Sequence, residues 1–133
     1  MKITNNVFEA LTRIDVLSRL LSCDDLPVMA SYQLAKLTKV LEEEMKVYLQ
    51  EKNKILDRYC KKDDDGKFII ENNSLVVHEG MMDDFNVKMK ALMDIDNEIP
   101  VERVKIKIQH IPKGYISPVN FAFLENFIEF IVE

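Results

Sequence analysis

SYQLAKLTKVLEEEMKVYLQEKNKILDRY, residues Ser31 to Tyr59, carries one apolar stripe: Leu34, Leu37, Leu41, Met45, Tyr48, Lys52, Ile55 and Tyr59. Its steps are all of three or four residues, which keeps the side chains on one face of an α-helix. A single lysine interrupts the row. The helix starts between Pro27 and Ser31, so its predicted span is about 28–59. Roughly 30 residues at about 1.5 Å each make a rod of about 45 Å. That exceeds the diameter of a small domain. Part of the rod must lie against another long element, protrude, or pair with a second chain.

On the N-terminal side, Val7, Leu11, Ile14 and Leu21, supported by Phe8, Leu17 and Leu20, predict a helix over about 6–21. Asn6 is a candidate cap, with Glu9 three residues later as in a capping box. Ser22, Asp24, Asp25 and Pro27 end this helix.

After the rod comes CKKDDDG, Cys60–Gly66, whose three aspartates before a glycine raise the question of a calcium loop. Counting answers it. With Gly66 at the sixth position of such a loop, Lys61 falls where the first acidic ligand belongs and Asn72 where the bidentate glutamate belongs. The stretch reads instead as the basic last turn of the rod followed by an acidic turn into a sheet. Phe68–Ile70 and Leu75–Val77 flank an asparagine-rich turn and predict a hairpin over 68–77. Met82, Phe85, Met89 and Leu92 predict a helix over about 81–93. Residues 103–109 alternate with period two and predict a strand, expected to join the hairpin because an isolated hairpin is marginal in water. Ser117 and Pro118 are the cap and first position of a last helix, predicted over 118–132. The expected fold is one α+β domain over 1–133, helix-dominated, with four helices and a small antiparallel sheet.

Composition narrows the function classes. The chain has 133 residues, is 47% hydrophobic and 31% charged, and carries a formal charge of −5. This mild acidic excess argues against a nucleic-acid binder, which usually shows a net basic domain. No run approaches the about 20 apolar residues of a membrane span, and the N-terminus lacks the apolar run of a secretory signal. Two cysteines, Cys23 and Cys60, are too few for a disulfide framework and read as free thiols of a cytosolic protein. His78 and His110 stand far apart without metal-ligand spacing. No phosphate-binding glycine loop is present. The expectation is a non-enzymatic chain with no cofactor and no metal.

Two surfaces carry more weight. Arg103, Lys105 and Lys107 share the polar face of one predicted strand and form a candidate polyanion-binding row. A lysine-rich face also discourages edge-to-edge pairing of sheets, the commoner reason for such a row. The last predicted helix is apolar on two stripes, Phe121, Leu124, Ile128 and Ile131 on one and Phe123, Phe127 and Phe130 on the other. A surface helix normally shows one. Either this helix is central, or part of it, with Phe123, Phe127, Phe130 and Ile131 as candidates, binds a partner.

Leu26-Pro27-Val28, then Ser31-Tyr32-Gln33-Leu34-Ala35-Lys36, then a long charged helix ending in Arg58-Tyr59 and an aspartate-rich Asp-Gly-Lys turn resemble small proteins of tailed phages and prophages, a family of unknown function. The resemblance is strongest over residues 26–67. Cys60, where a glycine would suit the helix end, and the phenylalanine-rich terminus depart from it. It implies an accessory protein in the cytoplasm of a bacterial host, binding a host or phage protein. One version inhibits a defence or host enzyme; the other is a minor virion or tail-assembly component. A homodimer through the rod or the terminal helix is also expected, and nucleic-acid binding through Arg103, Lys105 and Lys107 is the alternative of a different class.

Overall fold

The computed structural model describes residues 1–132. In chain order its elements are β1 (Lys2–Thr4), α1 (Asn5–Arg13), α2 (Val16–Leu21), α3 (Val28–Tyr59), β2 (Ile70–Glu71), β3 (Ser74–Leu75), α4 (Met82–Met93), β4 (Asp96–Glu98), β5 (Val104–Lys107), a 3-10 turn (Ile108–His110), α5 (Pro118–Leu124) and β6 (Ile128–Ile131). The class is α+β, as expected. Among the described residues no helix is long and apolar enough to cross a membrane.

Helix α3 is the rod, 32 residues or about 48 Å long. Its first half buries Ala30, Leu34, Leu37 and Leu41 in the main core with Phe8, Leu20, Ile106, Leu124, Phe127 and Ile128. Toward the far end, Leu56, Tyr59 and Cys60 are buried outside that core. There Tyr59 lies against Phe85 of α4, ring centroids 6.1 Å apart.

The lysine that interrupts the stripe has a partner. Lys52 Nζ sits 2.9 Å from both carboxylate oxygens of Glu9, and Tyr48 donates its hydroxyl to the same carboxylate. Arg13 adds a contact of 3.0 Å. This clamp fixes α1 to the middle of the rod, beside the packing of Phe8 on Tyr48. Burial works to raise the Glu9 carboxyl, but the bonds from Tyr48 and Lys52, the Lys52 charge and Arg13 together hold it below its ordinary range. Burial and the adjacent carboxylate push the Tyr48 hydroxyl up.

The expected first helix is two. Thr4, not Asn6, caps α1 by accepting from the Val7 amide, and Glu9 is committed to the rod rather than to a capping box. Ile14 is extended, at φ −120° and ψ 119°. The break redirects the chain so that α1 buries Phe8 while α2 buries Val16, Leu17 and Leu20. Arg19 of α2 donates to the Tyr115 carbonyl at 3.2 Å and stacks on its ring, tying α2 to the segment before α5.

The hairpin forms with Asn72 and Asn73 both at positive φ, as a tight primed turn requires. Residues 103–109 do not join it. The chain leaving the rod runs beside it through two isolated antiparallel bridges, Cys60 to Val77 and Lys62 to Phe68. The aspartates build the turn between them, with Asp63 Oδ1 accepting from the amides of Asp65 and Lys67 at 2.9 and 3.0 Å. β1 and β4 pair antiparallel, an association the sequence reading missed because neither three-residue strand has a hydrophobic signature. Asn5, buried at their junction, donates to the Leu92 carbonyl at 2.8 Å and accepts from Asn97.

The largest departure lies at the C-terminus. The expected helix over 118–132 stops at Leu124, and β6 follows, parallel to β5 in the register Val104–Ile128 to Lys107–Ile131. Asn126 turns its side-chain amide back onto the Phe123 carbonyl at 2.8 Å and stops the helix. Ser117 does cap α5, as expected.

The clamp predicts a pH signature. The folded state holds Glu9 at a lowered pKa, so its contribution is present above the unfolded value of about 4.3 and is lost as pH falls through the folded value. Glu9→Gln is expected to cost about 1–3 kcal/mol at neutral pH. In urea unfolding, the gap between wild type and variant should shrink toward about pH 3. A gap independent of pH would show that Glu9 is not ionically held.

Candidate functional site

Part of each residue set nominated from the sequence, Lys105 and Lys107 of one and Phe130 and Ile131 of the other, meets on one ladder. Within it, Lys105 stands beside Glu129, Ile106 beside Phe130, and Lys107 beside Ile131. Val104 and Ile106 are buried, while Lys105 points to solvent and Lys107 is half-buried. Arg103, just before the strand, is exposed and donates to the Glu125 carbonyl at 3.0 Å.

Two depressions run along this strand where it faces the first half of α3. One, of about 370 Å³, includes Gln33, Lys36, Glu102, Arg103 and Lys105. The other, of about 230 Å³, includes Met29, Gln33, Lys105, Lys107, His110 and Ile131. They adjoin at Gln33 and Lys105, which line both, and together are called the groove, with a cationic rim and an apolar stretch. The rod contributes a stripe the sequence reading missed. Met29, Gln33 and Lys36 repeat at steps of four and three, one residue behind the buried Ala30, Leu34 and Leu37. That adjacency was the available signal. Met29 is 65% exposed and Tyr32 57%, and the Lys36 ammonium lies 4.8 Å from the Tyr32 ring centroid.

The apolar candidates divide. Phe127 is fully buried and belongs to the core, so its expected place on a partner-binding helix face is corrected. It begins the return of the chain into β6, and its carbonyl accepts from the Val104 amide at 3.0 Å. Phe123 packs edge-on against it at 5.7 Å. Phe130 packs edge-on against Phe121 at 5.1 Å. Both Phe123 and Phe130 are half-buried, and Ile131 reaches the groove. The two predicted stripes of one helix are a helix and a strand, each with an inner face.

Elsewhere the chemistry is sparse. A third depression of about 300 Å³ at the break between α1 and α2 contains none of the nominated residues. Cys23 and Cys60 are buried free thiols, and burial pushes the Cys60 thiol up, away from the reactive thiolate. Among the described residues, no three His, Cys, Asp or Glu side chains gather as a metal-holding group.

The model of a family described as "Protein of unknown function (DUF1617)" matches residues 3–131. The chain belongs to that family. The family match takes in the rod, the hairpin and the β5–α5–β6 unit together. No curated protein and no solved structure matches the chain.

The division of the apolar residues is testable by stability. Phe127→Ala should cost about 3–5 kcal/mol in urea unfolding, whereas Lys105→Glu should stay within about 0.5 kcal/mol of wild type. A small cost for Phe127→Ala would return that side chain to the surface.

Proposed function

We propose that the chain is a non-enzymatic accessory protein, encoded by a phage or prophage, that acts by binding another protein through the groove between α3 and the β5–β6 ladder. The observation that carries this reading is the convergence of the nominated surface residues. Lys105, Lys107 and Ile131 meet the exposed Met29 and Gln33 of the rod in one concave strip. A groove with an apolar stretch and a polar, charged rim has the anatomy of a protein interface. The phage assignment rests on the resemblance carried by residues 26–67. On this reading the protein acts in the host cytoplasm, either masking a defence or host enzyme or joining virion or tail assembly. A homodimer remains part of the proposal, with monomer mass by light scattering at micromolar concentration as the result against it.

Nucleic-acid binding gains one supporting observation, since Lys36 joins Arg103 and Lys105 on the rim. Glu102 in the same depression and Glu129 beside Lys105 oppose a phosphate backbone there. An affinity for DNA that is flat with salt and with charge reversal would remove that reading.

Affinity capture with the tagged chain from infected and uninfected host lysate tests the proposal. A stoichiometric host defence enzyme supports the inhibitory version, and phage structural proteins alone support the assembly version. Met29→Asp, which places a charge in the groove, should weaken capture by about tenfold or more. Capture of no macromolecule by wild type, or capture unaffected by Met29→Asp, would overturn the proposed surface.

A further inference from the structure

We infer that the groove takes an acidic, extended segment of the partner, which adds as a strand to the open edge of β5; this rests on the protein-binding reading above. The first ground is the hydrogen-bond pattern of the ladder. The Val104 amide donates to the Phe127 carbonyl across to β6, in the parallel register that pairs Val104 with Ile128. Main-chain groups of successive residues in a strand point to opposite sides. The N–H and C=O of Lys105 therefore turn away from β6. Among the described residues β5 has β6 as its one strand neighbour. Its other edge presents an unused donor and acceptor at Lys105, the template that strand addition uses.

The second ground is charge. Among the described residues, Lys36, Arg103 and Lys105 line the groove along this strand against the carboxylate of Glu102, with Lys107 further along it. These cations stand in a chain whose formal net charge is −5. Lysines on an edge discourage pairing with neutral or basic strands. An acidic strand is the one they admit, because its carboxylates meet the ammonium groups that repel the others. Glu129 stands beside Lys105 on the neighbouring strand, on the β6 side rather than at the open edge.

The third ground selects a peptide over a nucleic acid. Pro27, Met29, Ala30, Ile106 and Ile131 make part of the groove apolar, which suits the alternate side chains of an extended peptide. A single-strand nucleic-acid track instead uses a row of stacked aromatic platforms, and among the described groove residues His110 is the one aromatic ring, with no Phe, Tyr or Trp beside it.

The test uses the full chain and a capped peptide of alternating glutamate and valine, about seven residues long. Binding is followed by fluorescence anisotropy and by the amide spectrum of the protein. The expected result is saturable binding with the Lys105 amide shifted and slowed in hydrogen exchange. Replacing glutamate by lysine in the peptide should abolish binding, and N-methylating its alternate amides should weaken it by about tenfold. Lys105→Glu together with Lys107→Glu should have the same effect in a chain whose amide spectrum remains that of the folded protein, and Met29→Asp should weaken binding independently of those two positions. Absence of binding, indifference to N-methylation, or equal competition by a single-stranded oligonucleotide would overturn strand addition. A partner captured equally by wild type and by the double charge-reversed chain would overturn it while leaving protein binding standing. Failure of wild type to capture any partner would remove the underlying reading as well.

Discussion

A helix of about 48 Å cannot be covered by one layer of a chain this short, and the structure answers that constraint in sections. The first half of α3 has an apolar core made by α2, α5 and the β5–β6 ladder. The middle is held by a polar clamp, where Glu9 binds Lys52, Tyr48 and Arg13. The far end has a small cluster of its own, built from Leu56, Tyr59, Cys60 and Phe85. Each section uses a different interaction because the stripe changes composition along the helix. Where leucines repeat, apolar burial suffices. Where Lys52 falls on the inner face, its charge must be met, and only a half-buried carboxylate with further donors can meet it without a net desolvation loss.

The rod was legible because its signal is long. From Leu34 to Tyr59 an unbroken run of steps of three and four leaves no competing period. The turn at Asn72 and Asn73, the cap at Ser117 and the fate of the aspartates were legible for a different reason, since each rests on local backbone chemistry. What failed was whatever depends on distant partners. Residues 6–21 read as one helix because apolar spacing does not reveal a bend at Ile14. The burial of α1 and α2 on different parts of the core creates that bend. Residues 125–132 read as helix because Phe127, Ile128, Phe130 and Ile131 satisfy either period over so short a run. The signal against helix was Asn126, a helix-stopping residue, followed by β-favouring Ile-Glu-Phe-Ile-Val.

The same ambiguity of period governs the candidate site. Read as one helix, the terminus offered two apolar stripes and an unexplained surplus of phenylalanine. Read as α5 and β6, the surplus disappears: Phe127 enters the core, and Phe123 and Phe130 find edge-on aromatic neighbours. The surface that remains is Ile131, and it lies where the cationic row of β5 lies. Sequence reasoning found Arg103, Lys105 and Lys107 because they sit on one strand. It missed Met29, Gln33 and Lys36 because nothing local shows which side of the buried stripe a second element will approach.

The position of the groove also bears on how it can bind. It is formed by the most heavily packed half of the rod and by a strand whose Val104 and Ile106 are core residues. Its walls are therefore set before any partner arrives, and association does not have to order them. Had the basic row been carried by the hairpin, as the expected sheet implied, it would have stood on the small cluster at the rod's far end, where few apolar contacts fix the backbone. Placing it on β5 couples the charged rim directly to Leu34 and Leu37 through Ile106 and Val104. The residues that hold the rod in the core are thus the ones that hold the groove open.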